Sequence, residues 1–292
     1  MGLMWSWPKK GQNRFRLRMT ITEVFAPAKV NLSLHVTGRR ADGYHLLDSL
    51  VAFASIGDRL RLSPAEELSL SVSGLFADGV PEDSRNLVWR AAEGADWRGH
   101  IGLEKSLPHG AGIGGGSSDA GAVLNAFRSQ GHTVPKALAL SLGADVPVCM
   151  HASAARMQGI GEEITPIPLP KLPALLVNPG VEVPTGAVFS GLASRENDPM
   201  PSEVPRFDGV ADCAGWLGAQ RNDLEPAAIA AAPLIERVLS DLRASRAALL
   251  ARMSGSGSTC FAIYPTLKAA HFAAYEIGAE HPEWWCVATE LS

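Results

Sequence analysis

The stretch Pro108–Gly121, PHGAGIGGGSSDAG, places six glycines in fourteen residues. Fixing glycine backbone costs entropy, so such a run is either a flexible connector or a loop shaped around something. Its flanks decide between the two. HIGLEKSLP alternates Ile101, Leu103 and Leu107 and predicts a strand running into the loop. SSDAGAVLNAFRSQ predicts a helix with Val123, Leu124 and Phe127 on one stripe and with Ser117, Ser118 and Asp119 as candidate caps. Floppy backbone would not hold a strand and a helix in register, so the loop is shaped.

The loop matches GxGxxG at Gly110, Gly112 and Gly115, which alone is a weak signal. A dinucleotide fold would put it after the first strand, with an acid ending the next strand ~20 residues on. Here several strands precede it, Pro108 opens it, and no such acid follows. A Walker loop needs Lys followed by Ser or Thr after the last glycine, and protein kinases need HRD and DFG; neither pattern is present. What remains is converging backbone N–H groups, the positive end of a helix dipole and the hydroxyls of Ser117 and Ser118. Together these suit a chain of phosphates. The candidate residues run from Pro108 and His109 through Gly110, Ala111, Gly112, Ile113, Gly114, Gly115 and Gly116 to Ser117 and Ser118. The cradle holds no lysine, so its cation must come from elsewhere.

One candidate stands in VFAPAKVNLSLHV, a predicted strand over 24–36. Val30, Leu32, Leu34 and Val36 share one face, and Lys29, Asn31, Ser33 and His35 share the other. A second charged group, Asp145, follows the predicted helix VPKALALSLG, which Gly143 ends. Pro147 is expected to hold Val146 extended and so to set the Asp145 carboxylate at a defined bend. Taken singly, Lys29 reads equally as a solvated charge and Asp145 as a cap or turn residue.

The 292 residues allow one large domain or two of ordinary size, and 46% apolar against 19% charged residues reads as globular. A net charge of -4 argues against nucleic acid as a partner. Residues 1–18 form a basic leader expected to be disordered; without it the remainder is more acidic still. Cys149, Cys213, Cys260 and Cys286 form no CxxC pair, which points to reduced thiols and a cytoplasmic setting. No apolar run approaches the ~18 residues of a membrane span. The proline-rich passage over 151–175 marks a change of unit, giving expected domains over 19–153 and 154–292. Strand-like ALLVN and TCFAIY and helical APLIERVLSDLRASRAALLA and LKAAHFAAYEIGA follow, so the class is α+β or α/β.

APAKVNLSLHVTGRRADGYHLLDSLVAFASIGDRL, EKSLPHGAGIGGGSSDAGAVLNAF, LGADVPVCM and MSGSGSTCFAIY occur in the order seen in the GHMP kinase superfamily, which this chain resembles from about Phe25 to Tyr264. The resemblance implies a two-domain α+β fold. Its N-terminal domain would be ribosomal-protein-like α/β and its C-terminal domain ferredoxin-like α+β, with the active site in the cleft between them. It implies an ATP-dependent small-molecule kinase with Mg²⁺ accompanying ATP over the glycine loop. Asp145 would act as general base, and Lys29 would either lower the proton affinity of that base or orient the acceptor hydroxyl, and would offset charge on the phosphate in transfer. The RADGYH element resembles members whose substrate is a cytidyl-diphospho sugar alcohol, phosphorylated on its 2-hydroxyl in the non-mevalonate route to isoprenoid precursors. On that resemblance Asn31 and His45 lie close to substrate, and Tyr44 and Phe189 stack on the cytosine. SGSGS over 254–258 would be a second glycine loop closing the cleft, and Asn222, Asp223 and Glu225 would chiefly start a helix. The implied partner is that small molecule, with no nucleic acid and no membrane, and the expected state is a monomer or weak homodimer. VWRAAEGADWRGHIGLEKS and FRSQGHTVPKALALSLG look shorter than the family pattern. Asp119 stands where many members carry a neutral residue, so it either caps the helix, helps hold Mg²⁺ or burdens the phosphate site. Two alternatives stay open: a homoserine- or mevalonate-type kinase of the same superfamily, and a non-catalytic sensor of ATP and sugar.

Overall fold

The computed structural model describes residues 21–292 of the chain; the expectation for the leader over 1–18 lies outside the described residues. In chain order the elements are β1 (Thr22–Arg39), β2 (His45–Pro64), β3 (Ser69–Ser73), α1 (Leu87–Gly94), β4 (Gly99–Glu104), α2 (Gly115–Ser129), α3 (Lys136–Leu142), α4 (Val146–His151), β5 (Ala155–Gly159), β6 (Glu163–Pro166) and β7 (Leu172–Asn178). There follow α5 (Thr185–Ser190), α6 (Val210–Gly218), α7 (Glu225–Ala231), α8 (Leu234–Ala244), β8 (Leu250–Met253), β9 (Cys260–Ile263), α9 (Leu267–Glu280) and β10 (Trp285–Leu291).

β1 and β2 form a long antiparallel ribbon in which Val30 faces Ala52 and Phe25 faces Arg59. The alternation of Val30, Leu32, Leu34 and Val36 drives this pairing, because all four are buried. Register shifts fall between Pro27 and Lys29 and between Asn31 and Ser33, so the short run Lys29–Asn31 is bracketed by two irregularities. Bulges of this kind re-aim side chains, and here they bracket the two residues that face the cleft.

β4 pairs with β2 and β3 with β4, while β5 pairs with the other part of β2 and β6 with β5. Thus β5 and β6, which follow the expected boundary at 153, belong to the first sheet. α1, α2, α3 and α4 cover this sheet through a core that includes Val88, Ile101, Val123 and Phe127, with Trp97 stacked on Phe127 at 4.9 Å. β7, β8, β9 and β10 form the second sheet, which joins the first at Leu291 opposite Ala54. Val30, Leu32 and Leu50 of the ribbon pack with Leu176 and Phe261 of the second sheet in one core cluster, so the two halves share buried surface behind the cleft.

Several local expectations change. The helix predicted over 232–251 stops at Ala244, and Leu250–Met253 is strand β8. Pairing of Met253 with Cys260 across the second glycine loop outweighs the helix propensity of RAALLA. Pro147 does not hold Val146 extended; it sits in the first turn of α4, where its missing N–H is one of the orphan positions. α2 begins at Gly115 with Gly114 at the N-cap, so Ser117, Ser118 and Asp119 lie inside the helix and cap nothing. None of the helices among the described residues is long and apolar enough to cross a membrane.

Candidate active site

A cleft of about 820 Å³ opens between the two sheets. The glycine loop and the start of α2 form one wall, and Lys29 and Asn31 of β1 form its floor. Tyr44 and His45 close one end, and Phe189 of α5 with Gly255 and Ser256 of the second glycine loop face them.

The loop has a simple backbone logic. Gly110, Gly112 and Gly114 all have left-handed φ, at 64°, 73° and 65°, while the intervening Ala111 and Ile113 bury their side chains in the core. Alternating conformations of this sort turn successive N–H groups toward one concavity. Three carbonyls of the loop are taken from outside. Thr259 N–H donates to Ala111, Ser254 Oγ to Gly112, and Lys29 N–H to Ile113. The N–H groups of Gly115, Gly116 and Ser117 are the first-turn donors that no helix satisfies internally.

Lys29 Nζ lies 2.8 Å from Asp145 Oδ2. Asp145 occupies the N-cap of α4 yet makes no capping bond with its side chain. The carboxylate is thereby turned away from its helix and toward the lysine and the cleft. Asn31 donates through Nδ2 to Ser49 Oγ, which in turn donates to the Ser33 carbonyl, so the amide is held in one orientation. The Asn31 backbone N–H donates to Ser254 Oγ, whose own proton goes to Gly112. One hydroxyl therefore ties the β1 floor, the first loop and the second loop together.

The second loop is pinned from behind. Asn222 Nδ2 donates to the carbonyls of Met253 and Gly255. In the sequence Asn222 reads chiefly as a helix start, and its Oδ1 does accept from Leu224 N–H. Ser256 and Thr185 share a hydrogen bond at 2.9 Å and both line the cleft. Neither hydroxyl stood out in the sequence, where VEVPTGAVF offered only its phenylalanine.

At the far end His45 stacks on Phe189 with ring centroids 4.7 Å apart. Burial, followed by the nearby Arg39 and Arg195 guanidiniums, lowers the proton affinity of His45, and its Nε2 has no partner among the described residues. A neutral ring nitrogen buried behind the cleft wall without a partner is a hydrogen-bonding group left unsatisfied. Tyr44 is exposed beside it and does not join the stack.

Not every expected residue faces the cleft. Pro108 and Ile113 are buried, and His109 is half-exposed 4.0 Å from Glu182. The Ser118 hydroxyl turns inward to the Pro27 carbonyl, so Ser117 alone of the pair lines the cavity. Asp119 also turns inward, to Lys105 Nζ at 2.9 Å, and so is neither a cap nor in the cleft.

Comparison with known proteins agrees with this architecture. The model of the GHMP kinases N terminal domain matches residues 86–155, and that of the GHMP kinases C terminal matches residues 202–283. A 4-diphosphocytidyl-2-C-methyl-D-erythritol kinase of Dinoroseobacter shibae is 57% identical over 91% of this chain and 94% of that protein. Its namesake in Paracoccus denitrificans is 50% identical over 91% and 96%. The crystal structure of a 4-(cytidine 5'-diphospho)-2C-methyl-D-erythritol kinase superposes with a TM-score of 0.77 at 35% identity, covering 93% of this chain and 99% of that one. A homoserine kinase of Cytophaga hutchinsonii, with a TM-score of 0.66 at 19% identity over 94% and 96%, shares the fold.

Proposed function

The chain belongs to the 4-diphosphocytidyl-2-C-methyl-D-erythritol kinase family of the GHMP kinases, and on that premise we propose that it moves the γ-phosphate of ATP onto the 2-hydroxyl of 4-diphosphocytidyl-2-C-methyl-D-erythritol. The products are the 2-phosphate and ADP, in the non-mevalonate supply of isoprenoid precursors. The protein is an ATP-dependent small-molecule kinase.

The observation that carries the reading is the Lys29–Asp145 pair, placed between a loop fit for phosphates and an aromatic platform fit for a base. Asp145 takes the proton of the acceptor hydroxyl as its oxygen attacks the γ-phosphorus, while Lys29 offsets charge on the transferring group. Work of this kind is positioning and electrostatics more than covalent chemistry. Gly110–Ser117 hold the phosphates through backbone N–H groups, Asn31 orients the sugar alcohol, and His45, Phe189 and Tyr44 receive the cytosine. Phe189 supplies a ring face.

The described residues contain no cluster of three or more His, Cys, Asp or Glu side chains able to cage a metal. Mg²⁺ would enter with ATP and would supply neutralisation of phosphate charge. No residue of the chain is assigned to it.

The test is a panel of alcohols assayed for ATP-dependent ADP release. Release with the cytidyl-diphospho-methylerythritol and not with homoserine or mevalonate supports the reading; release only with another alcohol overturns the substrate and keeps the kinase.

A further inference from the structure

The cleft is poor in positive charge for a site that must hold two polyanions. Among the charged side chains lining it, Lys29 is already paired with Asp145, and Asp42 is acidic. Directly beneath the phosphate loop lies a second charged group, which the mechanism does not use. Lys105 Nζ donates to Asp58 Oδ2 and, at 2.9 Å, to Asp119 Oδ2, and all three side chains are almost wholly buried. A Cβ placed on Gly115, the first residue of α2, would stand 3.5 Å from Lys105 Nζ and 3.7 Å from Asp58 Oδ2. The triad thus touches the junction where loop becomes helix.

Two carboxylates against one ammonium leave an uncompensated negative charge in the core. That is costly in itself and has the wrong sign beneath a phosphate cradle. The two acids are not equivalent. Asp58 has donors on both oxygens, Lys105 on one and the N–H groups of Ser106 and Leu107 on the other. Asp119 has Lys105 on Oδ2 and nothing on Oδ1, which is buried. Asp119 Oδ1 is therefore the place where one proton removes the excess charge.

We propose that Asp119 binds this proton when ATP fills the loop above and releases it when the cleft is empty, making nucleotide binding a proton-coupled event. Protonation leaves the triad neutral and so removes the negative charge that would otherwise face the phosphates from beneath. Burial, ahead of every charge near it, raises the Asp119 carboxyl to about 7, where a nearby polyanion shifts its occupancy most. Lys105 pulls in the opposite direction, and Asp58 adds to the rise. The Cys149 thiol of α4 lies within electrostatic reach of Asp119, and also of Lys29 and Asp145. The core residues that α1 and α3 bring against α2 are apolar, among them Val88, Ala91, Ala139 and Leu142.

This inference rests on the proposed nucleotide site, and the experiment separates the two. Binding of ATP with Mg²⁺ to the full chain is followed by calorimetry from pH 6 to 8.5 in buffers of different ionisation heat. The wild type is expected to take up a fraction of a proton near pH 7 and to weaken roughly tenfold toward pH 8.5. Asp119→Asn keeps an acceptor for Lys105 while removing the titrating group. It is expected to bind ATP more tightly than the wild type at pH 8.5 and to take up correspondingly fewer protons. Comparing the two chains cancels the titration of ATP itself. Proton uptake that needs phosphates is checked on the wild type alone, with adenosine as the ligand lacking them. Equal proton counts in wild type and variant, or equal counts with ATP and adenosine, overturn the proposal. Failure of the chain to bind ATP at all overturns the nucleotide site instead.

Discussion

Lys29 and Asp145 meet at 2.8 Å with very unequal exposure, the lysine side chain at 4% and the aspartate at 36%. The cation is desolvated and fixed, while its partner keeps an open side toward the cleft. In a low-dielectric site a fixed cation acts strongly on charge developing nearby, and it needs no reorganisation to do so.

Lys29→Met is expected to lower kcat by about 10²–10³-fold, the range for removing one preorganised electrostatic group. Binding of ATP should change much less, because the loop holds phosphates through its backbone. Replacing a buried ammonium by an apolar side chain of similar length should leave the melting temperature unchanged or raised, since Asp145 retains access to water. Steady-state kinetics beside a thermal melt check both parts.

Gly112→Ala attacks the meeting of the two glycine loops. Its φ is 73°, and an added Cβ would lie 2.4 Å from the Ser254 carbonyl oxygen and 2.8 Å from that of Gly257. Backbone on both sides must shift, so ATP affinity should fall by ~10-fold or more, with a loss of roughly 1–3 kcal/mol in stability. Nucleotide titration and denaturant melts measure the two effects.

Phe189→Ala removes the face on which His45 stacks and should raise KM for the cytidyl substrate by about tenfold or more, with KM for ATP little changed. The pH dependence at this end follows from His45, whose proton affinity is lowered by burial and then by Arg39 and Arg195. The ring is therefore neutral at pH 7 and gains a proton only as pH falls below its ordinary value of 6.5. KM for the cytidyl substrate should be flat above pH 6.5 and rise only below it. A pH series of KM checks this, with His45→Gln, which cannot titrate, flat throughout.

Arg156 and Asp48 carry stability rather than chemistry. Arg156 donates through Nε and Nη2 to the Asp48 carboxylate and also to the carbonyls of Met200, Pro201 and Ser202. Asp48 accepts in addition from Met200 N–H, so the pair straps the segment after α5 onto β2 and β5. Asp48→Ala leaves a buried guanidinium without its counter-charge and should cost about 3–5 kcal/mol. Chemical denaturation of the variant measures it.

The core of β1, the shaped loop and the helix after it were legible because strict alternation and a stripe at helical spacing each admit one element. Lys29 and Asp145 were visible as residues, but only their resemblance to the GHMP pattern joined them, since no spacing rule links a strand to a turn so far along the chain. β10 escaped the sequence reading, because EWWCVATEL has no clean alternation and is half-buried on both faces. Ser254 and Asn222 were hidden for another reason. Their work is to hold backbone carbonyls of distant segments, and nothing local in the sequence records which carbonyl a hydroxyl or amide will reach. Asp119 looked like a helix-start acid, and only the inward face of α2 reveals its partner in Lys105.

The central claim, that Asp145 is the base of the phosphoryl transfer, is tested most directly by single-turnover formation of the 2-phosphate from saturating ATP and cytidyl-diphospho-methylerythritol with wild type and Asp145→Asn. The amide keeps the volume and a hydrogen-bonding oxygen but cannot accept the proton. The account predicts a rate lower by about 10²–10⁴-fold with ATP binding preserved. An Asp145→Asn enzyme that turns over at the wild-type rate would contradict it.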